Sequence, residues 1–102
     1  MDLTGKQKRY LRSLAVTMRP VVLIGKAGLT NEILDSIRSA VDSRELIKVQ
    51  ILQNSETVVD EVAEMCENMG FEVVQTIGRN LVIFKVASLM KNRKISTEVQ
   101  DI

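Results

Sequence analysis

Apolar positions along this chain change period several times, and each change marks an element. Leu11, Leu14 and Met18 recur at helical spacing behind Thr4-Gly5-Lys6-Gln7, whose Thr and Gln stand three apart as in a capping box. A first helix is therefore expected to start at Thr4, and Pro20, which forces Arg19 into extended backbone, ends any helix before it. Residues 21–24 are a short, wholly apolar, mostly β-branched run between Pro20 and Gly25, which reads as an interior strand covered on both faces. After Gly25-Lys26-Ala27-Gly28, Thr30 is the expected cap of a second helix, with Leu29 and Leu34 stapled across it. Ile33, Leu34, Ile37, Ala40 and Val41 trace its inner face to about Ser43.

Residues 46–52 switch to alternation, with Ile47, Val49 and Ile51 on one side and Lys48 and Gln50 on the other, the pattern of a strand whose second face is partly wet. Ser55 is the expected cap of a third helix with a stripe of Val58, Val59, Val62, Ala63, Met65, Cys66 and Met69, stopped by Gly70. Residues 71–77 and 81–86 read as two strands joined by a tight turn at Gly78-Arg79-Asn80. The order α-β-α-β-α-β-β implies a two-layer α/β (α+β) fold. Its two successive β-α-β units put the second and third helices on one face of a four-stranded mixed sheet, and the hairpin adds an antiparallel strand. One domain is expected over residues 1–87, and a polar, less ordered tail over 88–102 with at most a short turn near Leu89 and Met90.

Composition narrows the function. Aromatic residues make up 3% of the chain, so Tyr10, Phe71 and Phe84 are the only rings on which a base could stack. Cys66 is the single cysteine, which excludes an internal disulfide and a zinc site built on several thiolates. No run approaches the length of a membrane span and the N-terminus has no secretory apolar stretch, so a cytoplasmic protein without a membrane partner is expected.

Net charge is only +1, but its distribution is uneven. Residues 1–28 hold six basic side chains against one acidic, residues 29–77 hold three against ten, and residues 78–102 hold five against two. A field of this shape, rather than the net value, steers an anionic partner. From Gly5 to Pro20 no carboxylate accompanies Lys6, Lys8, Arg9, Arg12 and Arg19, so the first helix has no internal ion pairs to occupy them.

Two glycines around Lys26 and Ala27, between a strand and a helix, allow amides to converge on a phosphate without interference from Cβ atoms, and Lys26 adds a point charge. KH-type loops clamp a nucleic-acid backbone in this way. The motif lacks the Gly-Lys-Ser/Thr ending of a P-loop and the third glycine of a dinucleotide site, so no nucleotide cofactor or small-molecule substrate is expected. Without histidine, and with Cys66 in an apolar stripe, the chain has no evident nucleophile or base, and no enzyme is expected. Asp60, Glu61, Glu64 and Glu67 read as a solvated acidic face rather than a metal site. The candidate RNA-binding residues are Gly25, Lys26, Ala27, Gly28, Lys6, Lys8, Arg9, Arg12, Arg79 and Lys85, with Lys8, Arg12, Lys26, Arg79 and Lys85 expected on one surface.

Several stretches carry a family resemblance: Leu3-Thr4-Gly5-Lys6-Gln7-Lys8, residues 20–30 from Pro-Val-Val-Leu-Ile-Gly to Leu-Thr, Glu45-Leu46-Ile47-Lys48-Val49, Ile77-Gly78-Arg79-Asn80-Leu81-Val82 and Arg93-Lys94-Ile95-Ser96. Over residues 3–96 the chain resembles the small bacterial YhbY family of RNA-binding proteins, relatives of the CRM domain of plant organelle splicing factors. The resemblance implies a four-stranded mixed sheet with flanking helices, similar to the C-terminal domain of translation initiation factor three. It also implies association with large-subunit ribosomal RNA in precursor particles, with residues 25–28 and the first helix as the contact surface. Arg44 stands where relatives often have histidine, and Phe84-Lys85 where a Tyr-Arg pair is familiar. The leading expectation is a non-catalytic RNA-binding protein that assists assembly of the large ribosomal subunit. The alternative is a protein-interaction module that docks a ribosomal or other protein.

Overall fold

Both halves of the capping box form at the head of the chain. In the computed structural model, which describes residues 2–102, the Gln7 amide donates to Thr4 Oγ1 at 3.1 Å and the Thr4 amide to Gln7 Oε1 at 2.9 Å. Helix α1 (Gly5–Ala15) follows, and strand β1 (Val22–Ile24) leads through the glycine loop into α2 (Asn31–Arg44), where Thr30 Oγ1 accepts from the Ile33 amide at 3.2 Å. The remaining elements are β2 (Leu46–Ile51), α3 (Val59–Asn68), β3 (Glu72–Ile77), β4 (Asn80–Phe84), a 3-10 turn (Met90–Asn92) and α4 (Ile95–Gln100).

The sheet order is β1-β2-β4-β3. Strands β1 and β2 pair in parallel, with Leu23 opposite Gln50, and β4 pairs antiparallel with both β2 and β3, so it lies between them. Helices α2 and α3 cover one face, where Ile37, Val41, Val62 and Cys66 pack on Val22, Ile24, Ile47, Val49, Ile51, Leu81 and Ile83. The mixed sheet with flanking helices is thus the expected one. On the other face Leu11, Ala15 and Val99, from α1 and α4, bury Leu46, Val74, Val82 and Phe84. That second cover spans one end of the sheet, and at the other end Lys48 and Gln50 stay half-exposed, as the alternation in β2 implies.

Three expectations about elements need correction. Strand β1 is an edge strand, not an interior one, and Leu23 on its second face is 50% exposed. An apolar run reports that a strand is buried somewhere, but not on how many sides. Ser55 does not cap α3: its Oγ accepts from the Thr57 amide at 3.2 Å, a local turn that competes with helix capping, and α3 begins after Val58 without a side-chain cap. Past Ala87, a turn forms at Met90–Asn92 close to where one was expected, but α4 follows where a less ordered tail was expected, with Ser96 and Val99 buried.

Glu45 explains why the tail docks. It closes α2 with φ of 68°, unusual for a residue with a Cβ, and its side chain is fully buried. The carboxylate accepts from the amides of Ala87 at 2.9 Å, Lys94 at 2.8 Å and Ser96 at 3.1 Å. Burial pushes its pKa up, but the hydrogen bonds from Ser96, Ala87 and Lys94 outweigh that push and hold it below the ordinary value. Gln7 adds a second tie, its Nε2 donating to the Val99 carbonyl at 3.0 Å, and the Tyr10 hydroxyl donates to Glu98.

Candidate functional site

The parallel pairing of β1 with β2 and the β3–β4 hairpin bring three loops to one end of the sheet: residues 25–30, residues 52–58 and the Gly78-Arg79 turn. The glycine loop closes through Gly28 N–H donating to the Gly25 carbonyl at 3.0 Å, followed by Thr30 N–H donating to the Gly28 carbonyl at 3.0 Å. Gly28 has φ of 74°, and a Cβ there would stand 3.2 Å from Thr57 Oγ1. Glycine at this position is therefore favoured by the fold. Gly25 differs, because its conformation is not left-handed and a Cβ would meet only Leu52 Cδ1 at 4.0 Å. Lys26 and Ala27 are exposed, and among the described residues the amides of Lys26, Ala27 and Leu29 donate to no backbone carbonyl outside regular elements. The first turn of α2 carries Glu32, whose charge offsets the positive helix end, so attraction for an anion is concentrated in the loop itself.

Arg79 supports that loop from below. Its Nε donates to the Ile51 carbonyl at 3.2 Å and its Nη2 to the carbonyls of Leu52 at 2.9 Å and Ser55 at 2.8 Å. Those carbonyls belong to the segment that carries Thr57 beneath Gly28 and whose Leu52 amide donates to Ile24 at 2.8 Å. Arg79 is thus first a brace, although no carboxylate among the described residues neutralises it.

Helix α1 lies across the sheet from α2 and α3, so charge separates by layer. Lys6 and Arg9 are exposed, Lys8 and Arg12 are half-exposed, and none of the four has an ion-pair partner among the described residues. Asp60, Glu61, Glu64 and Glu67 project from α3 on the opposite side. Arg9 and Arg12 line a shallow groove with Lys48, Gln75 and Ile77, which connects the basic helix to the open half of the sheet.

Lys85 stands apart from the others. It follows β4, at the end where Leu46 pairs with Phe84, while Asn80 opposite Gln50 marks the end that carries the glycine loop. Its ammonium is paired with Asp42 and donates to Ser88 Oγ at 3.0 Å, and Asp42 is held far below the usual carboxylate range by hydrogen bonds from Lys85 and Ser88. The structure therefore does not bring all five expected cations onto one surface. Sequence reading also had no means of placing Gln75, because Val73 pairs with Ile83 and Gln75 with Val82, leaving Val74 in a bulge that reverses the facing of the later β3 residues.

Cys66 is buried and its thiol is pushed up to about 11, chiefly by burial and then by Glu67, and among the described residues no group of three His, Cys, Asp or Glu could hold a metal. Among the described residues no helix is long and apolar enough to cross a membrane.

Comparison with known proteins places this arrangement. Residues 3–85 match the CRS1 / YhbY (CRM) domain. The chain is similar to Probable RNA-binding protein YqeI of Bacillus subtilis, with 44% identity over 84 residues covering 81% of this chain and 88% of that one. It is also similar to an RNA-binding protein of Haemophilus influenzae, with 37% identity covering 81% and 85%. Among solved structures it superposes on that of the hypothetical protein SAV1595 from Staphylococcus aureus, described as an RNA-binding candidate, with a TM-score of 0.71 and 42% identity, covering 91% of this chain and 98% of that one.

Proposed function

This chain belongs to the CRS1 / YhbY (CRM) domain family, and on that premise we propose that it is a non-catalytic cytoplasmic protein that binds ribosomal RNA and assists assembly of the large ribosomal subunit. The relatives named above as RNA-binding proteins support the class of ligand. One observation carries the site: Lys6, Lys8, Arg9 and Arg12, without ion-pair partners among the described residues, gather on one layer, with Lys26 on an amide-rich loop at the end of the sheet, while the carboxylates of α3 occupy the far side.

In this reading phosphates rest against the amides of residues 26, 27 and 29, with Lys26 beside them. The chain beyond follows the basic side of α1 and the open sheet face. Arg79 positions the loop, keeps its charge toward the same end and adds long-range attraction. Lys85, already paired, contributes little. Contacts of this kind position a backbone without reading sequence.

The test is binding of a structured large-subunit ribosomal RNA fragment by the wild-type protein and by Lys26→Glu. Affinity should fall while the thermal midpoint stays unchanged, because Lys26 is exposed and, among the described residues, its side chain makes no hydrogen bond or ion pair. Equal affinity in both proteins would overturn the loop's role. Cross-links from Lys26 to protein alone, with none to RNA, would favour the protein-docking alternative.

A further inference from the structure

We propose that the open half of the sheet holds a second recognition element, a pocket that takes one unpaired nucleobase, adenine by preference, and reads its edge with side-chain amides. The inference rests on the RNA-binding reading above and adds base selection to a site otherwise built for backbone.

The pocket has a volume of about 300 Å³ and lies on the face that α1 leaves uncovered. Gln50, Gln75 and Asn80 line it from three adjacent strands, and among the described residues none of their side-chain amides is hydrogen-bonded within the protein. Register explains the convergence: Gln50 pairs with Asn80, and Asn80 with Ile77 two residues beyond Gln75. The bulge at Val74 is what aims Gln75 and Ile77 here, since an unbroken β3 would turn them toward α2 and α3. Pro20, Ile77 and Val82 supply apolar walls, and Ile77 is 61% exposed.

Each feature fits a base better than another occupant. A pocket of this size lies at the bottom of the small-ligand range and suits one flat ring system rather than a folded partner. A carboxamide offers a donor and an acceptor side by side, which matches the paired acceptor and donor of adenine. Lys48 in the pocket, and Arg9 and Arg12 in the adjoining groove, would hold the phosphates that flank an extruded base. Since the chain has few rings to stack on, apolar walls and edge hydrogen bonds must supply the contact.

The experiment compares binding of the ribo-octamers rA8, rC8 and rU8 by wild-type protein and by the double variant Gln50→Met/Gln75→Met, which keeps length and loses both amides. Wild type should prefer rA8 by at least about five-fold, the lower end expected for one bidentate amide–base pair. The double variant should bind all three alike, with the salt dependence retained. Equal wild-type affinities would overturn the pocket and leave the RNA-binding reading intact, and so would a preference that survives in the variant. Failure to bind any octamer or structured RNA in dilute buffer would overturn both. Should the variant fail to fold, the side-chain NH2 resonances of Gln50, Gln75 and Asn80 in wild-type protein decide: they should shift with rA8 and not with inorganic phosphate, and unmoved signals would refute the proposal.

Discussion

Substituting alanine at the two loop glycines separates what the fold requires from what a ligand requires. Gly28→Ala places a Cβ on a residue with φ of 74° and 3.2 Å from Thr57 Oγ1. The left-handed conformation costs a residue with a Cβ about 1–2 kcal/mol, and Thr57 must also give way by a few tenths of an ångström. At a urea slope near 1.5 kcal/mol per molar, the unfolding midpoint should drop by about 1 M. Gly25→Ala has neither penalty, because the added Cβ meets only ordinary contact with Leu52. Lower entropy of the unfolded chain should leave stability unchanged or raise it by up to about 1 kcal/mol. If Gly25 is glycine so that RNA can approach the backbone, the same variant should bind RNA about ten-fold more weakly, the loss of roughly one charge-assisted hydrogen bond. Urea unfolding and RNA titration on both variants make the comparison. A Gly28→Ala protein as stable as wild type would refute the strain argument, and a Gly25→Ala protein with full affinity would refute the close approach.

Other outcomes stem from the braces around the site. Glu45→Ala leaves three amides without their acceptor and should cost about 3–5 kcal/mol, read by urea unfolding, with faster hydrogen exchange at Ala87, Lys94 and Ser96. Because the folded pKa of Glu45 lies below its unfolded value near 4.3, its contribution is complete above that pH and disappears as pH falls through the folded pKa. The variant should therefore show a flatter acid limb in a stability–pH profile. Arg79→Ala should lower both thermal stability and RNA affinity, whereas Arg79→Lys, which restores charge but not the fork of donors, should recover neither fully. Lys85→Met should leave RNA affinity unchanged in a filter-binding titration, since the ammonium is committed to Asp42.

Much of this architecture is legible from local chemistry. The cap at Thr4, the cap at Thr30 and the alternation in β2 each rest on neighbours within a few residues, and each forms. What escapes is set by distant partners. The edge position of β1 depends on where β4 inserts, which its own three apolar residues do not encode. Helix α4 is six residues long with Ile95 and Val99 as its apolar positions, too short to persist alone, and it depends on Glu45 some fifty positions earlier. Of the candidate site, the loop and the basic helix were readable as composition and spacing. The bracing role of Arg79, the pairing of Lys85 and the amide cluster around Gln75 arise only when strands are in register.

The cradle itself is tested most directly by the salt dependence of RNA binding. If Lys6, Lys8, Arg9, Arg12 and Lys26 each neutralise one phosphate of a single strand, the slope of log affinity against log salt is about −3.5, an affinity loss of about 100-fold between about 50 and about 200 mM salt. Lys26→Ala should make that slope shallower by about 0.7. A slope near zero in the wild-type protein, or one unaltered by the substitution, would contradict the account.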